Sequence, residues 1–428
     1  MNAPVGWAVP RPVAPRRLRW IPRLPDILQA LWTVLVAALA LFLALAAVGA
    51  SAEDELVLLL SVALAMFILD AVLAGPLRRI ASRGSVLLAM ILGLGAQIFV
   101  LGAAITFGTG TDVGTADIFI VLMVSSAVMA VGRWFAGATD SGYVVGAATA
   151  RTSRALREKK SAADASDKRG LLVVQLDGLA LPVLRRAIAG GQAPNIARWI
   201  GSSHELSSWW ATIPCTTPAS MAGFLHGSAE VPAFRWWDRR SGKLLAANNP
   251  ADSRLVESRF PEGSGLLSKG SAISTTYTGE SQRAYLTISK ATRMRDMGSG
   301  SIYLSFFIRP FLLPGALVMT VGEVFKELYQ GHRQNVRAVE PRIRRRGGYV
   351  VLRGLTNVLL RKLNLSLVAE EMAAGSPIIF VDFVDYDEIA HHAGPERPEA
   401  MRAIEGLDGV LAALEDVARS VSTKYDLV

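Results

Sequence analysis

Three short segments of this chain hold residue types that could do chemistry at phosphorus. Asp177-Gly178 ends the run Leu171–Leu176, and Cys215-Thr216-Thr217-Pro218 puts two hydroxyls ahead of a proline. The third segment runs from Asp385 through Asp387, His391 and His392 to Gly394-Pro395. Asp387 and His391 are four residues apart, so on a helical turn they project from one face and can grip one metal ion. Carboxylate with imidazole suits zinc, or manganese at a site richer in oxygen. A threonine hydroxyl is a poor nucleophile at its own pKa and needs a metal or a base to activate it. At the start of a helix opened by Pro218 it lies in the positive end of the helix dipole, beside free backbone N–H groups that favour a bound phosphate. Each piece has an ordinary explanation as well. Asp177-Gly178 makes a turn, Thr216 or Thr217 caps a helix, and Asp387 with His391 forms an exposed pair. Together, in this order, they suggest two-metal displacement at phosphorus.

These residues need a scaffold, and the surrounding pattern supplies one. Leu171–Leu176 is short, apolar and without strong alternation, as in a strand buried on both faces of a parallel sheet. A carboxylate at the C-terminal end of such a strand stands where open α/β sheets place their ligands. Helices are expected at Leu181–Ala189, Asn195–Ile200 and Pro218–Leu225, the last two with a proline at their start. Ile378–Phe383 reads as a second fully apolar strand, Glu396–Ser420 as a long amphipathic helix, and Asp426-Leu427-Val428 as the beginning of a third strand. The α/β part is therefore expected over 170–428.

The first third of the chain has a different character. Of its 428 residues, 51% are hydrophobic and 19% charged, with a net charge of +9; the mean hydropathy of +0.34 is too apolar for an ordinary soluble protein. Such a basic excess marks cytoplasmic loops and contact with anionic lipid rather than binding of a nucleic-acid polymer. The single cysteine, Cys215, excludes an internal disulfide framework and a Cys-rich zinc site. Residues 1–26 form a proline-rich basic arm, expected to be disordered. Four apolar runs follow within 27–136: Ile27–Ala50, Leu56–Gly75, Val86–Phe107 and Ala116–Val131. They are read as four transmembrane helices, since a span needs about 20 residues. Their connections alternate between acidic and basic, which places both termini in the cytoplasm of a bacterial-type plasma membrane. Asp70 falls near the end of the second run, where an interfacial position is favoured over a transport role. Gly93, Gly95 and Gly102 in the third suggest close helix packing. A charged linker occupies 137–169. Residues 301–330 are again apolar but interrupted by Arg309, Pro310, Pro314 and Gly315, so core packing is expected there, ahead of a hairpin resting on the membrane or a fifth span.

From about Lys168 onward the chain resembles the type I phosphodiesterase/nucleotide pyrophosphatase family of the alkaline phosphatase superfamily. That family shows a strand ending in Asp-Gly, a Thr-x-Pro motif and Asp-x-x-x-His-x-x-Gly-Pro. Here Asp177-Gly178, Thr216-Thr217-Pro218 and Asp387 through His391 to Gly394-Pro395 match them. The resemblance implies a membrane-anchored, metal-dependent phosphodiesterase or phosphatase acting on a phosphate ester. It implies Thr216 as the phosphorylated nucleophile and two divalent ions, zinc or alternatively manganese. Asp177 and Thr216 would share one ion, while Asp387 and His391 would hold the other. Ser274–Glu280 looks like a family strand and turn. The family's supporting asparagine has no counterpart near Val231–Asp238, where Arg235 stands as a substitute charge clamp. A later Asp-His-Gly and a final histidine are also absent, so the chain reads as a truncated copy with an incomplete α/β domain and impaired activity. The alternative is a non-catalytic membrane protein whose pseudoenzyme domain binds lipid or a partner.

Overall fold

The protein is described by a computed structural model covering residues 24–49, 57–58, 61–62, 65, 73–81, 86–109, 114–135, 169–211, 213–291, 300–308, 312–340 and 347–428. The basic arm up to Arg23, Asp70, nearly all of the 137–169 linker and the arginines at 342–346 lie outside these residues.

The chain has mixed α/β content built on a parallel sheet. Strands β1 (Arg169–Leu176), β2 (Arg235–Asp238), β3 (Lys243–Ala246), β4 (Ser271–Ile273), β5 (Arg283–Tyr285), β6 (Ile378–Phe383) and β7 (Lys424–Leu427) divide into two sheets. The larger has the order β5-β4-β6-β1-β7 and is parallel throughout, while β2 and β3 form an antiparallel hairpin. β1 lies between β6 and β7, which is why its centre reads as unbroken hydrophobicity: Leu172 faces Ile379 and Leu427 in register and is wholly buried. The register also pairs Leu176 with Phe383, so β1 and β6 end side by side. Asp177, next after β1, and Asp385, two residues after β6, therefore leave the same end of the sheet.

The expected helices are present: α5 (Leu181–Ala189), α6 (Pro194–Ile200) and α7 (Thr217–His226). α8 (Pro250–Glu257) follows the hairpin. The long amphipathic helix is α14 (Pro398–Ser420), whose buried positions Ile404, Leu407, Leu411, Leu414 and Val417 recur at the helical period. Between β5 and β6 come α9 (Gly300–Ile308), α10 (Leu312–Val336), α11 (Gly348–Gly354), a π-helical turn at Leu355–Leu360 and α12 (Arg361–Ala374). α13 (Asp385–Ala393) follows β6 at once. One expectation shifts: the strand near Ser274–Glu280 lies just before it, at β4, and 274–280 is a turn with Ser274, Gly279 and Glu280 all at positive φ.

Upstream lie α1 (Leu24–Ala47), α2 (Ala74–Ala81), α3 (Val86–Thr109) and α4 (Thr115–Phe135). Among the described residues one helix, over Val86–Phe107, is long and apolar enough to cross a membrane, with mean hydropathy 2.3; Ala38–Ala47 and Thr115–Met129 are shorter apolar stretches. The reading of four spans is thus narrowed to one such helix, partly because the second run is only sparsely described. The glycines do allow close approach. A Cβ at Gly93 would lie 2.6 Å from the Phe307 backbone, and one at Gly102 would lie 2.5 Å from Ile118 Cδ1.

The first part of the 301–330 stretch packs as core, with α3 as its neighbour, whereas Val321, Phe325, Leu328 and Tyr329 further along α10 are exposed. Tyr303, Leu304, Phe306, Phe307 and Ile308 on α9 are all buried, and α9 lies against α3 and α2. The Gln97 side-chain amide donates to the Phe307 carbonyl across this contact. Ala81 and Ala89 belong to the same continuous hydrophobic cluster as Leu172, Ile379 and Leu414. α2 and one side of α3 thus share a core with the sheet, while α1, α4 and the other side of α3 pack in clusters of their own.

Candidate active site

The sheet edge gathers the candidate groups because two adjacent strands stop together. Asp177 follows β1, and its backbone N–H donates to the Phe383 carbonyl at the end of β6 (3.1 Å). The chain turns at once through Gly178 at φ +68°. A Cβ there would lie 2.3 Å from Asp387 Oδ1, so Gly178 is what lets the Asp177 turn and α13 close on each other. Asp387 and His391 share one face of α13, with His391 Nε2 and Asp387 Oδ2 3.1 Å apart.

The hydroxyl that faces Asp177 belongs to Thr217. Thr217 Oγ1 donates to Asp177 Oδ2 at 3.0 Å, with Oδ1 at 3.3 Å. Thr216 occupies the N-cap position of α7 in extended conformation, makes no capping bond, and its buried Oγ1 has no hydrogen-bond partner. The expected pairing of Thr216 with Asp177 is therefore replaced by Thr217 with Asp177. The physical reason is the helix itself. Thr216 is still extended at the N-cap while Thr217 is the first helical residue, so the two side chains leave the backbone in different directions and the Thr217 hydroxyl is the one that meets the carboxylate. Asp177 Oδ1 also accepts from Gln175 Nε2 (3.3 Å) and from the Gly178 N–H (3.1 Å).

Arg235 is not brought to this group. It is exposed at the first position of β2 and makes no ion pair among the described residues.

Asp382 was overlooked by a reading of β6 as fully apolar. It is buried next to Gln175 across the strand pair, and its Oδ1 has no hydrogen-bond partner. Burial, then the neighbouring charges of Asp177, Asp387 and Asp385, push its pKa well above the usual carboxylate range. An acid inside an otherwise apolar strand was the available signal. Asp385 lies on the far side of the α13 start, where Arg361 Nε donates to its Oδ1 at 2.7 Å. Burial raises Asp177, with its hydrogen bonds from Thr217, Gln175 and Gly178 opposing. Asp387 is pushed up to about 6, mainly by burial and next by the charge of Asp177.

Carboxylates that raise one another's pKa create the electrostatics that a divalent cation relieves. Two donor pairs suit such an ion, Asp177 with Thr217 and Asp387 with His391. Among the described residues no group of three or more His, Cys, Asp and Glu side chains is gathered closely enough to hold a metal. Comparison with known proteins returns no family model, no curated protein and no solved structure similar to this chain.

Proposed function

We propose that the chain is a membrane-associated, metal-dependent phosphoric ester hydrolase of the phosphodiesterase/nucleotide pyrophosphatase type, with an alkaline-phosphatase-like α/β domain and Thr217 as its nucleophile. The observation that carries this reading is the 3.0 Å hydrogen bond from Thr217 to a buried strand-end aspartate, at the edge where Asp387 and His391 also emerge. The first-turn N–H groups of α7 have no partners inside the helix and suit the oxygens of a phosphoryl group placed in line with Thr217. Thr217 Oγ1 forms a bond to phosphorus as the ester P–O bond opposite it breaks, and its proton passes along the hydrogen bond to Asp177. The departing alkoxide takes a proton from solvent. Water then attacks phosphorus as the Thr217 Oγ1–P bond breaks; Asp177 returns its proton to Thr217 Oγ1, and the proton lost by the water passes to solvent as the phosphate product leaves. Divalent ions, zinc or manganese, held by Asp177 with Thr217 and by Asp387 with His391 would neutralise the negative charge of the phosphoryl oxygens.

The bilayer part of the proposal, including four spans and cytoplasmic termini, rests on hydropathy and on the side chains that α1, α3 and α4 leave outside. Leu35, Phe42, Phe99 and Phe107 are each 60% exposed or more, which suits lipid contact better than water.

The test compares two neighbouring hydroxyls. With zinc or manganese supplied, Thr217→Ala should abolish hydrolysis of bis(4-nitrophenyl) phosphate, and Thr216→Ala should keep most of it. The reverse pattern overturns the assignment. A second reading, a pseudoenzyme that binds lipid or a partner, is favoured by the absence of a three-ligand group among the described residues. Purified protein that binds neither zinc nor manganese would support it.

A further inference from the structure

A polar cavity lies beside α13, which contributes Ile389 to its wall. It has a volume of about 140 Å³, far above the roughly 10–15 Å³ that admits one water. α10, α11, the π-helical turn, α12, α13 and α14 all contribute to its walls. Five cationic side chains line it, Lys326, Arg353, Arg361, Lys362 and Arg402, against two carboxylates, Glu323 and Glu399.

Most of these charges have assigned neighbours. Lys326 pairs with Glu323 (2.6 Å), Arg353 contacts Glu327 and Gln330, Arg361 holds Asp385, and Gln334 donates to Glu399 (3.2 Å). Glu323 also lies 3.5 Å from Arg353 and, like Glu399, keeps one buried oxygen outside any hydrogen bond, so an anion must sit toward the cationic side of the cavity. Three groups there are relevant to it. Arg353 is 2% exposed, yet its Nε has no hydrogen-bond partner. Asn357, 6% exposed, has a buried Oδ1 with none. Arg402 makes no ion pair among the described residues; its charge works against that of Arg353, which the charges of Glu323 and Glu399 support. A buried amide and a buried guanidinium N–H without partners are both costly, a cost that a bound ligand would offset. Asn357 sits in the π-helical turn itself, a distortion that recurs at functional sites.

We propose that this cavity binds a phosphate group, with Arg402 and the Arg353 Nε–H donating to its oxygens and the Asn357 amide donating a further hydrogen bond. Arg353 is already paired with Glu327 and Glu323 through its terminal nitrogens, so its Nε–H, together with Arg402 and Lys362, is what an anion would join on the cationic side of the cavity. A phosphate has more acceptor oxygens than a carboxylate to satisfy these donors together. The Asn357 amide can present either its oxygen or its nitrogen, because nothing else fixes its orientation. The phosphate could come from solution or from a lipid headgroup. The second source is open because α10 begins among the apolar helices, where Leu312, Leu313 and Ala316 are buried, and reaches the cavity at Met319, Glu323 and Lys326.

The site is separate from the proposed catalytic one, so the test uses full-length protein treated with chelator, in which metal-dependent phosphate binding at Asp177 and Asp387 is suppressed. Inorganic phosphate is titrated calorimetrically in detergent. In parallel, nanodiscs of phosphatidylglycerol or of phosphatidylcholine are compared by native mass spectrometry for retained lipid. Saturable binding in either arm, weakened at least tenfold by Arg402→Gln and by Asn357→Asp but largely kept by Arg402→Lys, is expected. Binding of free phosphate identifies a soluble ligand; retention of phosphatidylglycerol alone identifies a headgroup. Binding unchanged in Arg402→Gln, or absent from both arms, overturns the proposal. If Asn357→Asp does not fold, the exposed position of Arg402 on α14 makes Arg402→Gln decisive.

Discussion

Gly178→Ala is the most informative single change at the sheet edge. The residue has φ +68°, a region that costs a side-chain-bearing residue roughly 1–2 kcal/mol. The added methyl would also stand 2.3 Å from Asp387 Oδ1 and 3.1 Å from its Cβ and Cγ, where ordinary contact begins at 3.4 Å. The Asp387 carboxylate must therefore retreat by about 1 Å, and a misplacement of about that size can cost 10²-fold in rate. The backbone term alone should lower the thermal midpoint by only a few degrees, at about 2–4 °C per kcal/mol in a domain of this size. The expected result is a loss of about 100-fold in kcat/KM for bis(4-nitrophenyl) phosphate, with zinc affinity weakened in parallel and the fold retained by circular dichroism. A variant that keeps wild-type kcat/KM and zinc affinity would refute the claim that this glycine sets the position of Asp387.

Other changes probe the same framework. The raised pKa of Asp387 means that the folded state holds this proton more tightly than the unfolded state. Metal-free protein should then lose stability as pH rises from about 4 to about 6, by about 1–2 kcal/mol after solvent screening, and change little from this group above that. Asp387→Asn should flatten that part of a chelator-treated melting profile; an unaltered profile counts against the charge argument. Asp408, 2% exposed on α14, accepts from the Asn195 and Ile196 backbone N–H groups at 3.0 and 2.8 Å and so caps α6, whose own N-cap residue is an alanine. Asp408→Ala should cost about 2 kcal/mol in urea unfolding, within the usual range for a lost cap, and a change below 0.5 kcal/mol by the same measurement would show that the cap is dispensable. Leu172→Ala, at the centre of β1, should cost about 2–5 kcal/mol in the same assay, and a smaller loss would mean that the sheet collapses onto the cavity.

The parts of this architecture that could be read from the sequence share a local cause. β1 and β6 announce themselves by short apolar runs, and α6, α7 and α14 open with prolines whose fixed φ suits a first helical turn. The placing of Asp177, Asp387 and His391 followed from strand ends and an i,i+4 spacing. The choice between Thr216 and Thr217 did not, since a Thr-x-Pro spacing says nothing about which hydroxyl faces a carboxylate on another strand. Asp382 was hidden by the five apolar residues around it. Arg235 had a suitable charge in a suitable place along the chain, but the β2–β3 hairpin leaves it on the surface. The start of the 301–330 stretch could be recognised as core, but its exposed apolar end around Phe325 and Tyr329 could not be told from it; hydropathy names no partner, and the docking of α9 on α3 is a long-range pairing.

That docking bears on how the protein can be made and how it folds. α9 lies between β5 and β6 in sequence, but Tyr303, Phe306 and Phe307 are covered by helices that precede β1. A polypeptide beginning at Arg169 would leave this aromatic face without its cover, and such surfaces drive association in water. The two regions thus should be produced as one piece, because the earliest helices cover an aromatic face that is made nearly two hundred residues later in the chain.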